Sequence, residues 1–157
     1  LAEQHQLWTA MVAVHEAQLA ASTADIGRFE AFAAIAGVHE EKLASPRDAF
    51  ETWRRAWRLL RRGKSTLAEE ALDALRRLAD KHNLWHVLAE HYLELSDEWI
   101  REGEREAGLE ALVEAAELVA DRQSDLPGAL RLLARAAEYD IIVERGPLGD
   151  AHPDGPK

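Results

Sequence analysis

His82, His86 and Glu90 stand at i, i+4 and i+8, with His91 beside the last of them. On an unbroken helix that spacing lines two imidazoles and a carboxylate along one face, the donor set of a transition-metal site. Asn83 lies inside the set and reads as a helix boundary, so the alignment is expected to fail. The chain has no HExxH, and none of its histidines follows a glutamate by three residues, which removes the Glu-x-x-His pair of di-metal carboxylate sites. His15 and His39 sit among apolar residues and read as helix-packing histidines. Cysteine is absent, which excludes thiol nucleophiles, disulfide staples, zinc ribbons and iron–sulfur ligation. No G-x-S-x-G elbow and no glycine-rich phosphate loop occurs. Carboxylates abound, with 29 Asp and Glu, but nothing in the sequence marks a pair as buried. The expectation is a protein without catalytic residues, metal or cofactor.

The elements that must carry these side chains are helices. In 157 residues alanine, leucine, glutamate and arginine dominate, and no alternating Val/Ile/Thr stretch reads as a strand. Breaks fall at Ser22-Thr23, Ser45-Pro46, Gly63 with Ser65-Thr66, His82-Asn83, Ser96-Asp97 and Ser124-Asp125. Ser45 before Pro46 has the form of an N-cap followed by proline in the first turn, and Thr66 with Glu69 has capping-box spacing. Seven helices are expected, at 3–21, 25–43, 46–62, 65–81, 84–95, 97–121 and 126–143. Their apolar residues recur at helical spacing, as in Leu72, Leu75 and Leu78 or Leu84, Leu88, Tyr92 and Leu95. The expected organisation is one helical domain over 1–143 and a flexible tail over 144–157, where glycine and proline dominate. The longest apolar run, Ala31 to Val38, is far shorter than the roughly 20 residues of a membrane span. Leu1 in place of methionine reads as a processed or excised piece, and the cytoplasm is the expected compartment.

The chain repeats itself. A shift of 77 lays Leu7-Trp8 on Leu84-Trp85 and Met11 on Leu88. A shift of 80 lays Phe32 on Leu112, Ala36 on Ala116, Ala49 on Ala129, Phe50 on Leu130, Trp53 on Leu133 and Ala56 on Ala136. Met11, Ala49, Leu88 and Ala129 as equivalent points give a period near 40 residues, that of stacked two-helix units. Small residues at Ala49, Ala56, Ala129 and Ala136 let helices approach, and Trp53, Trp57 and Trp85 are expected to fill the space between them.

In these features the chain resembles the tetratricopeptide repeat family in a lengthened form. Ala49, Trp53 and Ala56, and again Ala129, Leu133 and Ala136, match the family's second-helix pattern, while Ile35, Ala36 and His39, and Ala115, Ala116 and Val119, match the first. The family's glycine is replaced by Ala36, Arg76 or Ala116, and its closing proline is missing. The resemblance covers about residues 3–140 and implies a right-handed α-solenoid of antiparallel helix pairs, three and a half units long. It also implies a protein-binding scaffold whose first helices line a concave face.

Charge is unevenly distributed. Residues 1–46 hold six acids and two bases, 47–81 six acids and ten bases, and 82–157 seventeen acids and seven bases. An overall net charge of −10 argues against nucleic acid as a partner. Arg54, Arg55, Arg58, Arg61, Arg62 and Lys64 form a local basic stripe, read first as a solvated helix face. The family's groove-facing spacing, carried onto this chain, gives Glu30, Gly37, Glu40 and Glu41, then Glu70, Asp73, Arg77 and Asp80, then Glu110, Glu114, Glu117 and Asp121. Ten of those side chains are acidic and one is basic, so the groove is expected to attract a basic protein or peptide segment. The alternative is a self-assembly module that dimerises or stacks through its terminal helices, since the first helix leaves Leu7, Trp8, Met11 and Val14 in need of cover.

Overall fold

The computed structural model of the chain describes residues 2–145, with side chains through Glu138. Seven α-helices follow one another: α1 (Ala2–Ala21), α2 (Asp25–Gly37), α3 (Pro46–Arg62), α4 (Leu67–His82), α5 (Trp85–Arg101), α6 (Arg105–Asp121) and α7 (Leu126–Arg145). α2 runs without a break into one π-helical turn, Val38–Lys42. No strand occurs among the described residues. The helices fall into two compact units, the first reaching Leu84 and the second starting at Trp85.

In the first unit α3 lies between α2 and α4, and α1 covers α2 and the π turn. Ile35 of α2, Ala49, Phe50, Ala56 and Leu60 of α3, and Leu75, Leu78 and Ala79 of α4 are fully enclosed. Their i, i+3, i+4, i+7 spacing gives each helix one apolar stripe, and each large side chain removed from water contributes about 1.5–3 kcal/mol. Trp53 and Trp57 are buried beside them, as the sequence implies.

In the second unit α6 packs against both α5 and α7. Leu88, Tyr92 and Leu95 of α5, Ala111, Leu112, Ala115 and Ala116 of α6, and Ala129 and Ala136 of α7 are buried in this unit's core. The α5–α6 crossing depends on Gly108: a Cβ there would stand 2.6 Å from Cγ1 of Ile100 and 3.0 Å from the Ser96 carbonyl oxygen.

Ser96-Asp97 therefore does not end a helix. The chain stays helical from Trp85 to Arg101 because Ser96 is completely buried at the α5–α6 crossing, where breaking the backbone ladder would strand polar groups away from water. The break lies instead at residues 102–104, where Gly103 takes a left-handed conformation (φ +87) that any other residue would enter only with strain. The expected capping box also fails to form. Thr66 is already helical and caps nothing; the Leu67 N–H instead donates to Oγ of Ser65 at 3.1 Å. Pro46 does open α3, and Ser45 Oγ donates to the Asp48 carboxylate at 2.7 Å. The expected tail falls almost wholly outside the described residues.

The 80-residue shift finds physical counterparts in both units. Ala49, Ala56, Ala129 and Ala136 are all buried. Arg55 of α3 grips Glu16 of α1 through both terminal nitrogens, at 3.0 and 3.2 Å, and Arg135 of α7, its equivalent under the shift, holds Asp97 of α5 at 3.1 Å. Each tie joins a helix to the one two places earlier, across 39 and 38 residues. The large residues diverge: Phe50 and Trp53 are buried, whereas Leu130 and Leu133 are 65% and 41% exposed. α3 has helices on two sides, but α7 leans on α6 and turns those leucines outward.

Candidate functional site

The π turn sets the geometry around Glu40. One extra residue in a turn rotates those beyond it by about 100° around the helix axis. The turn closes with the Leu43 N–H donating to the Val38 carbonyl at 2.9 Å. Glu40, at its centre, faces the C-terminal end of α4. Arg77 donates to its two carboxylate oxygens at 3.0 and 3.2 Å, Lys81 Nζ lies 3.4 Å away and His82 Nε2 3.1 Å away. Only 8% of the Glu40 side chain remains exposed. The Arg77 hydrogen bonds, with help from His82 and Lys81, hold its carboxyl at about 2 despite burial that pushes the other way. Arg77 is raised in turn, first by its hydrogen bonds to Glu40 and further by the neighbouring charge of Glu41.

This network changes the meaning of the sequence-derived groove. Glu40 and Arg77 come together, but as partners of each other. Asp73 is engaged by Arg76 at 3.5 Å. Glu30, Glu41, Glu70 and Asp80 are exposed, and Gly37 has open space around its Cα. Part of the basic stripe of α3 is likewise engaged: Arg55 holds Glu16, Arg54 holds Glu51 at 3.1 Å, and Arg61 lies over the Trp57 ring. The Arg55 hydrogen bond also lowers the Glu16 carboxyl below its ordinary value. In the first unit, acid is largely matched by base.

In the second unit it is not. Glu110, Glu114, Glu117 and Asp121 are all exposed along one face of α6, and none makes an ion pair among the described residues. Glu106, one turn earlier and also exposed, extends the row to five carboxylates. On this helix the sequence-derived set begins at Glu110 because it follows the family's groove positions, although the i, i+4 spacing of Glu106 to Glu110 was legible in the sequence. The opposite face carries Gly108, Ala111, Leu112, Ala115, Ala116 and Val119, all buried. That burial holds the helix in place and fixes where the acids point. Val113, 38% exposed, borders the row.

The row is locally unfavourable. Each like-charge pair at i, i+3 or i, i+4 costs roughly 0.2–0.5 kcal/mol. No basic residue occupies the last turn, where Glu117 and Asp121 face the negative end of the helix dipole. Arg122 lies just past the end, and its guanidinium is stacked over the Trp85 ring at 4.4 Å. Packing of the buried face offsets these costs.

The histidine set is dispersed. Asn83 adopts a left-handed conformation (φ 55) that ends α4, so His82 and His86 belong to different helices, and His82 is committed to Glu40. Among the described residues no group of three or more His, Asp and Glu side chains is arranged to hold a metal ion, and no helix is long and apolar enough to cross a membrane. No family model, curated protein or solved structure matches the chain.

Proposed function

We propose that this protein is a noncatalytic helical-repeat scaffold that captures a basic segment of a partner protein on the acidic face of α6. The observation that carries the reading is the row Glu106, Glu110, Glu114, Glu117 and Asp121: exposed, aligned, and free of ion pairing among the described residues. From Glu110 to Asp121 the row spans about 16 Å, which matches about five residues of extended chain or three turns of helix. Lysine or arginine at that spacing, with one apolar residue against Val113, is the complementary sequence. The field of the row speeds encounter and selects against acidic competitors.

A tetratricopeptide-like stack, right-handed and built of antiparallel pairs, is the architecture we infer within each unit. Its support is the recurrence of Arg55–Glu16 and Arg135–Asp97, which tie helices two apart at nearly the sequence period. Glu30, Glu70, Asp73 and Asp80 belong to the equivalent helices of the first unit and take a lesser part, because Arg76 and Arg77 lie among them.

The test is capture of a lysine-rich peptide by the intact chain. Reversing Glu110, Glu114 and Glu117 to lysine should abolish it while leaving helicity unchanged, and reversing Arg54, Arg58 and Arg62 should have little effect. Binding that survives the glutamate reversals would overturn the assignment.

A further inference from the structure

The face of α1 turned away from α2 has an unusual composition. α1 contains no buried residue. Trp8, Met11, Val12, His15, Glu16 and Leu19 are half-buried on the side that meets α2 and the π turn. On the other side Leu7 and Val14 are 54% and 56% exposed, and Ala10, Ala17 and Ala21 are exposed with them. Leu7, Ala10, Val14, Ala17 and Ala21 follow the 3-4-3-4 spacing of a coiled-coil seam.

Charge is nearly absent from this helix. In a chain that is 31% charged, α1 has no lysine or arginine and only Glu3 and Glu16, and Glu16 is held by Arg55 on the packed side. Depletion of charge marks the centre of an interface, and the small residues of this face let a second helix approach closely.

We infer that α1 is a homotypic docking face, on which a second copy of this chain lays its own α1 antiparallel across a two-fold axis. Two observations select that occupant. First, a chain of net charge −10 repels its own copy, so self-association requires a surface with no charge to oppose itself, and the outward face of α1 beyond Glu3 supplies one. Second, the seam is self-complementary. A two-fold centred near residue 12 sets Leu7 against Ala17 and Ala10 against Val14, and the symmetry repeats each pair. Every large side chain meets a small one, so the helices approach closely and the layers interdigitate. A basic partner gains nothing here, since its charge would find no counter-charge. The exposed leucines of α7, Leu126, Leu130 and Leu133, lack this alternation.

The proposal is independent of the α6 reading and is tested without any ligand. Size-exclusion chromatography with light scattering, run from micromolar to near-millimolar concentration, should give a dimer mass that grows with concentration. Val14→Asp should return the monomer mass with an unchanged circular dichroism spectrum, because the side chain it replaces is already half in water. The absence of native cysteine makes the register directly readable. Under mild oxidation, a mixture of Ala10→Cys and Val14→Cys chains should form a disulfide-linked heterodimer, since those positions face each other within the roughly 7 Å that a disulfide spans. Ala10→Cys alone should stay uncrosslinked. A monomer at every concentration would overturn the inference, as would a dimer that survives Val14→Asp or one that is lost only in Leu130→Asp.

Discussion

Replacing Glu40 by glutamine removes one negative charge from the point where Arg77, Lys81 and His82 converge. A carboxyl held at about 2, against an ordinary value of 4.5, sets the ceiling on what the charge contributes. With about 1.4 kcal/mol for each tenfold change in proton affinity, that ceiling is about 3 kcal/mol. Arg77 and Lys81 are 52% and 59% exposed, so water and salt screen much of it, and about 1–2 kcal/mol is the expected loss at pH 7. The sign in pH follows from the direction of the shift. A depressed carboxyl stabilises fully above its unfolded value and loses that contribution as pH falls toward the folded one. The gap between wild type and Glu40→Gln should thus be constant above about pH 5 and close between about pH 4.5 and 2. Urea unfolding at several pH values, read by circular dichroism, measures the gap directly. Glu30→Gln, exposed and without an ion pair among the described residues, should show no gap. Equal stability of Glu40→Gln and wild type at pH 7, or a gap that widens in acid, would refute the network as a stabilising element.

Gly108→Ala should destabilise by about 1 kcal/mol in thermal unfolding although alanine is the better helix former, because its Cβ collides with Ile100 and the Ser96 carbonyl. Gly37→Ala, with nothing within 4 Å of the added carbon, should raise stability by roughly 0.5–1 kcal/mol by the same measurement. Ser96→Ala should be neutral or stabilising by up to about 1 kcal/mol, since the buried Ser96 hydroxyl has no hydrogen-bond partner among the described residues; a clear loss in urea unfolding would contradict that. Binding of a lysine-rich peptide should weaken steeply as salt rises from low ionic strength, where the Debye length is about 30 Å, to 1 M, where it is about 3 Å; a salt-independent affinity would exclude the acidic row as its site.

Helical periodicity made the seven helices legible, and most boundaries follow from residues whose backbone preference is local: Pro46, Gly63, Asn83 and Ser124-Asp125 all sit at turns. Ser96-Asp97 misled because its polarity is local while its burial is tertiary: only contact with Gly108 reveals why a serine belongs inside a helix. Gly103 was the legible alternative, a glycine placed where a left-handed residue ends a helix. The acids of α6 from Glu110 to Asp121 follow from the groove spacing that the family resemblance implies, which leaves out Glu106. The neutralisation of Glu40 was not, because it depends on a π turn that no residue pattern announces and on Arg77, 37 residues away. The repeat was readable at the alanines, whose smallness is required wherever helices cross. It failed at Leu130 and Leu133, whose burial depends on a neighbour that α7 lacks on that side among the described residues.

The most direct measurement is a nuclear magnetic resonance titration of the isotope-labelled chain with a short lysine-rich peptide at low salt. Amide shifts should concentrate on Glu106, Glu110, Val113, Glu114, Glu117 and Asp121 and vanish when salt is raised. Shifts centred on α4 or around Glu40, or none at saturating peptide, would contradict the α6 assignment.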